Sequence, residues 1–295
     1  MAEAVSETSV QVRVDAAPRR KWYAFLLCAG PRRSRRVAKL ICNSNAHYRR
    51  KEYEASLRDA LLAVSEANPD STSHLRALMH LAGAHGAMNK HSEALVVLDD
   101  LIERTRRVRG ERSVALVPIL HARAEMLEHL GGRLEQAAEQ LELAREIRRE
   151  KHGERSAAFA TASFNLATVT LRRADDSAAC RTDEQRAALM KRASELSLEA
   201  VAIDLARRDN DAAATHLEAT LDLMAQCADA EATAGPVKVL AARYLEVTGE
   251  EWVEAEDDEG SDHAVCTVRV SPTWAVSAAR WQTEHCFHLD REQRR

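Results

Sequence analysis

Residues 75–110 and 119–153 repeat one another along the chain. They read LRALMHLAGAHGAMNKHSEALVVLDDLIERTRRVRG and ILHARAEMLEHLGGRLEQAAEQLELAREIRREKHG. The tetrapeptide Gly-Glu-Arg-Ser at 110–113 returns at 153–156, a shift of 43 residues. A fixed repeat of about 20 to 50 residues is typical of a solenoid, in which each unit buries its apolar face against its neighbours.

Each unit predicts two amphipathic helices joined by a turn. In the first helix, Leu75, Leu78 and Ala82 share one face at the spacing i, i+3, i+7. Turn and stop residues end the helices; they are Asn89-Lys90, Gly110, Gly131-Gly132 and Gly153. Small residues are expected to let paired helices approach closely; they are Ala82, Ala94, Ala124, Ala137 and Ala167.

The repeat continues on both sides of these two units. A third unit begins at Ser156, and its second helix is expected over residues 183–208. Residues 48–67 resemble the second helix of an earlier repeat, and residues 211–228 resemble the first helix of a later one. The alternative is an ordinary helical bundle whose units are similar by chance.

The composition agrees with an all-helical protein. Of 295 residues only ten are Gly and six are Pro, and aromatic residues make up 4%. Ala, Leu, Glu and Arg, which favour helices, are abundant. These values exclude a β-sandwich, a β-barrel or a disulfide scaffold, and 45% hydrophobic residues argue against wholesale disorder. No apolar run approaches the roughly 20 residues of a membrane span.

Three motifs connect these units with a known family. Residues 164–167 (FNLA) are similar to an N-N-L-A helix start, and residues 132–137 (GRLEQA) to a G-R-Y-x-E-A turn. Residues 144–153 (AREIRREKHG) are similar to an A-L-x-I-R-E-K-x-L-G helix end. The units therefore resemble tetratricopeptide repeats (TPR) of the kinesin-light-chain-like variety, clearly so over residues 75–173. The resemblance implies an all-α, right-handed superhelical solenoid of antiparallel helical hairpins over residues 46–248.

The resemblance also implies a binding groove, because the first helices of such repeats line the concave face. A peptide or a partner helix is expected to lie there. The groove residues that the family pattern gives are Arg76, Met79, His121, Glu125, Glu128, Phe164, Asn165, Thr168 and Arg172.

Two known groove chemistries fit these residues poorly. Chaperone-binding members clamp a peptide's terminal carboxylate with charge-assisted bonds from Lys, Asn and Arg. The corresponding positions here include Met79, Gly83, His121, Glu125, Phe164 and Thr168. Acidic peptides, which kinesin light chains bind, would be repelled by Glu125 and Glu128, although Arg76 and Arg172 would attract them.

The N-terminal end is basic and lacks the helical repeat pattern. Residues 1–51 carry 12 basic and three acidic residues. We expect residues 1–45 to form an arm outside the solenoid that anchors the chain to a larger assembly through an apolar island between arginines. The anchor residues are Arg19, Arg20, Lys21, Trp22, Tyr23, Phe25, Arg32, Arg33, Arg35 and Arg36. The alternatives are packing on the first hairpin, an anionic membrane or nucleic acid.

The C-terminal end predicts an acidic linker at 249–262 and a capping or docking segment at 263–295. Residues 250–262 carry eight acidic residues and no basic residue. The last segment is expected to form a short strand and a helix that docks through Trp274 and Trp281. His263, Cys266, His285, Cys286 and His288 have a spacing that resembles zinc ligands. On a strand, however, His263 and Cys266 would face opposite sides, so we expect no metal site.

These patterns predict a non-enzymatic scaffold, adaptor or structural subunit that binds protein partners and needs no cofactor. The chain has no Gly-rich phosphate loop, HExxH or GxSxG motif. The alternative is a nucleic-acid-associated repeat protein that uses the basic arm, which the acidic solenoid disfavours. Six scattered cysteines favour a reducing compartment, so we expect a cytoplasmic or cytoskeleton-associated protein, with a mitochondrial location as the alternative.

Overall fold

The computed structural model describes residues 30–176, 182–227 and 230–249, and these ranges contain ten helices and no strand. The helices are α1 (Gly30–Arg49), α2 (Tyr53–Glu66), α3 (Thr72–Ala87), α4 (His91–Arg109), α5 (Leu116–His129), α6 (Leu134–His152), α7 (Ala157–Asp175), α8 (Asp183–Ala206), α9 (Asn210–Ala225) and α10 (Ala230–Thr248).

The ten helices form five hairpins stacked in chain order. Each helix packs against the next one, and the first helices also contact one another between α1 and α3, α3 and α5, and α7 and α9. One hairpin cannot bury both of its faces, so the neighbouring hairpins complete its core. The predicted all-α solenoid of helical hairpins is therefore confirmed.

The predicted helix ends are confirmed in the repeated units. Gly110 ends α4 with a φ of 93°, and Gly153 ends α6 with a φ of 82°. Residues other than glycine rarely adopt this backbone conformation, which explains why glycine recurs at the same place in both units. Helix α8 ends two residues before the expected Arg208, and α9 occupies nearly the whole stretch that was expected to begin a later repeat.

A continuous apolar core connects the hairpins. One cluster runs from α2 to α8 and includes Leu98, Leu120 and Ile147, and a second joins α7, α8, α9 and α10. All five small residues that were expected to permit close helix packing are buried. These alanines therefore lie in the core between the helices, as expected.

The N-terminal boundary of the solenoid differs from the expectation. Residues 30–45 were assigned to the arm, but they lie in α1, where Val37 and Ile41 are buried against Ala63 and Ala77. Val37 and Ile41 stand one helical turn apart, so a single face of α1 buries both. The stack of hairpins thus includes residues from Gly30 onward, and the other predicted arm residues, 1–29, lie outside the described residues.

A second difference concerns residues 48–67, which were expected to form one helix. Helix α1 ends at Arg49 and α2 begins at Tyr53, and between them Lys51 has a φ of 62°. A left-handed lysine breaks the helix without any glycine or proline to signal it. Tyr48 therefore belongs to a first helix of the solenoid rather than to a second one. The predicted linker beyond Gly249 and the predicted strand and helix at 263–295 lie outside the described residues.

Ion pairs connect the links that precede α3 and α5 with the helices α4 and α6. Asp70 before α3 pairs with Arg107 on α4 at 2.9 Å, and Arg112 before α5 pairs with Glu150 on α6 at 2.8 Å. Arg107 and Glu150 are equivalent under the shift of 43 residues, so the two units make a similar contact with the charges exchanged. Exposed ion pairs of this kind contribute little to stability. We expect them to help set the register of neighbouring units.

Candidate binding groove

The predicted groove residues all lie on the first helices of three successive hairpins. Arg76 and Met79 lie on α3, the residues from His121 to Glu128 on α5, and those from Phe164 to Arg172 on α7. Because the first helices succeed one another along the solenoid, we treat these positions as one candidate row. Of this row, Met79 also packs against the core, and Arg76 is half-buried.

Polar contacts join α5 and α7 within the groove. Asn165 Nδ2 lies 3.1 Å from His121 Nδ1, and Arg172 forms an ion pair with Glu128. The Glu128 side chain is 16% exposed and that of Arg172 is 44% exposed. Thr168 donates a 2.8 Å hydrogen bond to the carbonyl of Asn165 on its own helix. The resemblance thus identified residues that contact one another across two units.

The α7 side of the groove is supported by residues that the sequence analysis missed. The ring of Phe164 stacks on His216 of α9 with 4.3 Å between centroids. His216 Nδ1 lies 2.9 Å from Asp204 Oδ2, and the Asp204 side chain on α8 is 3% exposed. This chain of contacts fixes the orientation of Phe164. Residues 211–228 were expected to form a first helix. The groove spacing of the earlier first helices, applied to this helix, would have indicated His216.

The α3 side of the groove depends on a glycine. A Cβ on Gly86 would lie 3.0 Å from the Sδ and Cε atoms of Met126 on α5. Gly86 therefore leaves room for Met126 between the two helices. At the end of α5, His129 stacks on His91 of α4 with 4.6 Å between centroids. Burial, and then the neighbouring His91, lower the pKa of His129.

Two groups near the centre of the groove have raised pKa values. Burial raises the pKa of Glu125, and the adjacent Glu128 raises it further, while Arg172 lowers it. Burial also raises the pKa of Tyr48 to about 12, and the charge of Glu125 adds to this effect. Tyr48 lies at the end of α1, so its electrostatic coupling to Glu125 extends across α3. Tyr48 was not among the predicted groove residues, because the sequence pattern placed it in a second helix.

Acid is expected to destabilise the protein through His80, which is buried on α3 beside the groove. Burial, and then Arg76, lower the pKa of His80 to about 4. In the unfolded chain its pKa is about 6.5, so below pH 6.5 the unfolded state binds a proton that the folded state does not. The stability contribution is therefore fully present above pH 6.5 and falls by about 3 kcal/mol as the pH drops to 4.

Urea unfolding of the wild type and of a His80→Gln variant at pH 7, 5.5 and 4 measures this effect. The variant has no group titrating at this position, so it should lose about 3 kcal/mol less stability than the wild type over that range. An equal loss in the two proteins would contradict the assignment of the acid sensitivity to His80.

The described part of the N-terminal anchor contacts the protein's own solenoid. Arg33 donates from Nε to the carbonyl of Glu66, and Arg36 pairs with the Glu66 carboxylate at 2.8 Å. Arg32 also lies on α1, and Arg35 is exposed. The remaining predicted anchor and docking residues lie outside the described residues; they are Arg19, Arg20, Lys21, Trp22, Tyr23, Phe25, Trp274 and Trp281.

Over residues 30–176, 182–227 and 230–249, the structure groups no three His, Cys, Asp or Glu side chains in a way that could hold a metal ion. The zinc-like spacing from His263 to His288, where we expect no metal site, lies outside these residues. In the same part of the chain, none of the helices combines the length and the apolar character that crossing a bilayer requires.

Comparison with solved structures identifies the class of fold. A putative kinesin light chain of Podosopora anserina with nearly identical TPR-like repeats superimposes with a TM-score of 0.56 at 14% identity, over 72% of this chain and 94% of that one. BtubC (BKLC) from P. vanneervenii gives 0.44 at 18% identity, over 76% and 77%. A Rap protein complexed with Competence and Sporulation Factor gives 0.43 at 13% identity, over 75% and 65%.

The protein therefore has the fold of a TPR-like helical repeat protein, as the sequence motifs indicated. No family model matches the chain. No curated protein matches it in sequence.

Proposed function

We propose that this protein is a non-enzymatic scaffold or adaptor, or a structural subunit of a larger assembly, that binds a partner protein in the groove. The observation that supports the proposal is that three contacts join side chains of successive first helices, namely His121–Asn165, Glu128–Arg172 and Phe164–His216. A row of this kind offers a partner several contacts on a preformed surface, which limits the entropy cost of binding.

The chemistry of the groove favours binding over catalysis. Two pairs of its polar groups are in contact, an amide with an imidazole and an arginine with a carboxylate. Among the described residues of the groove, we identify no nucleophile that is held by a base. The nucleic-acid alternative depended on the basic arm, and Arg33 and Arg36 of that arm are engaged with Glu66. Scattered cysteines, with Cys42 exposed and free, favour a place for this scaffold in the reducing interior of the cell.

A pair of charge-introducing variants tests the groove. Thr168→Arg places a long cationic side chain in the groove at a residue whose only described hydrogen bond is within α7. Glu139→Arg introduces an arginine at an exposed position of α6, a second helix, and serves as the control. The full chain, tagged at its C-terminus, is used to purify its partner from cells.

We expect the partner to co-purify with the wild type and with Glu139→Arg, and to be reduced at least about fivefold with Thr168→Arg. All three proteins should have similar melting temperatures, since surface changes usually stay within about 0.5 kcal/mol. If Thr168→Arg retains its partner fully, the binding site lies elsewhere. If the wild type yields only the isolated chain, the scaffold proposal is wrong.

A further inference from the structure

The first and last described helices of the stack differ in what they expose. None of the described large apolar side chains of α1 is exposed, and its exposed positions include Arg35, Lys39 and Arg49. On α10, by contrast, Val239 is 55% exposed and Leu245 is 43% exposed. The terminal unit of a solenoid needs a polar outer face, because no further repeat covers it. Among the described residues, α1 meets this requirement and α10 does not.

The exposed side of α10 is suited to packing against another helix. The opposite side of α10 joins the second core cluster through Leu240. We call the exposed side the end face; its residues at helical spacing are Gly235, Val239, Ala242 and Leu245. A Cβ on Gly235 would meet no atom within 4 Å, so the space above this residue is open. The small residues in the middle of the end face would let another helix approach closely between the two larger side chains.

The chain itself continues from the end face. Gly249 follows α10 with a φ of 76°, and its N–H donates a 2.9 Å hydrogen bond to the carbonyl of Leu245. Residues 250–262, eight of which are acidic, then lead to residues 263–295. A stretch as long as 250–262 reaches about 45 Å when it is extended, whereas a helix of 19 residues such as α10 spans about 28 Å. Residues 263–295 are therefore within reach of the whole end face.

We propose that residues 263–295 of the same chain pack on the end face of α10 and close this end of the solenoid. Trp274, Ala278 and Trp281 follow one another at the helical spacing i, i+4, i+7. A helix with this spacing presents both indole rings on one side, and burying them with the end face removes apolar surface from water. The acidic residues 250–262 are unsuited to this role, because burial of their charges is costly.

Thermal unfolding of full-length variants tests whether the end face is covered. Val239→Ser should lower the melting temperature by about 4 °C or more, because it removes apolar contacts under the cover. Val96→Ser is the matched control: Val96 on α4 is 69% exposed, so the melting temperature should change by less than about 1 °C. In a chain that also carries Trp274→Ala and Trp281→Ala, Val239→Ser should cost almost nothing further, because the contact is already lost.

Disulfide formation tests which segment forms the cover. Ala242→Cys places a thiol in the middle of the end face, and Cys266 and Cys286 are the cysteines of residues 263–295. Two cysteines can be bridged only when their Cα atoms come within about 7 Å of each other. After mild oxidation of the full chain, we expect peptide mass spectrometry to find the introduced thiol joined to one of these two cysteines within one chain. Glu139→Cys, at an exposed position of α6, is the control and should form no such link.

Three results would overturn the proposal. The first is an equal shift of the melting temperature for Val239→Ser and Val96→Ser. The second is an equal cost of Val239→Ser with and without the two tryptophans. The third is a disulfide that joins two chains, which would show that a second copy supplies the cover. None of these results bears on the proposed binding groove, whose predicted residues lie on α3, α5 and α7.

Discussion

Replacing His216 by alanine is expected to lower the free energy of unfolding by about 1 to 3 kcal/mol, the range for a buried polar group that loses its partner. The variant leaves Asp204 on α8, whose side chain is 3% exposed, without the imidazole that lies 2.9 Å away. A buried polar side chain without a neighbouring polar group destabilises the folded state. The same change removes the ring on which Phe164 stacks, so binding of a groove peptide should weaken as well. Urea denaturation and peptide titration measure the two effects.

A second substitution separates the charge from the packing. In Asp204→Ala combined with His216→Ala, no polar side chain is left buried at this contact, so the double variant should recover a part of the lost stability. It should not recover peptide binding, because Phe164 still lacks its neighbour. A single His216→Ala variant that loses less than about 1 kcal/mol would show that the ion pair does not matter for folding.

Replacing Phe159 by alanine is expected to lower the free energy of unfolding by about 3 to 5 kcal/mol, the usual range for a buried phenylalanine. Phe159 on α7 is 2% exposed and is among the largest fully buried side chains. The guanidinium of Arg145 on α6 lies 4.7 Å from its ring centroid, and Arg145 also pairs with Glu199 on α8 at 2.7 Å. The alanine variant thus removes both a packed ring and the surface on which Arg145 rests.

Leu61→Ala is the control for this loss of apolar volume. Leu61 on α2 is 49% exposed, and surface substitutions usually change stability by no more than about 0.5 kcal/mol. Thermal and urea unfolding of the two variants should therefore differ clearly. Equal effects would mean that the junction of α6, α7 and α8 is not packed as described.

The helical hairpins were predictable because their signal is local. Apolar residues at helical spacing and the shift of 43 residues indicated α3 to α7, and the glycines at 110 and 153 indicated where α4 and α6 end. Left-handed backbone conformations favour glycine for steric reasons that act within a few residues. The family resemblance predicted a set of groove residues on α3, α5 and α7, and two of them, His121 and Asn165, contact each other.

Other features depend on contacts between residues far apart in sequence. Helix α1 belongs to the solenoid because Val37 and Ile41 find apolar partners on α2 and α3, which nothing within residues 30–45 reveals. The left-handed Lys51 carries no glycine or proline signal. Phe164 stacks on His216, and the charge of Glu125 raises the pKa of Tyr48, only because the hairpins are stacked. Helical periodicity is a property of neighbouring residues, whereas these pairings depend on how each hairpin packs on the next.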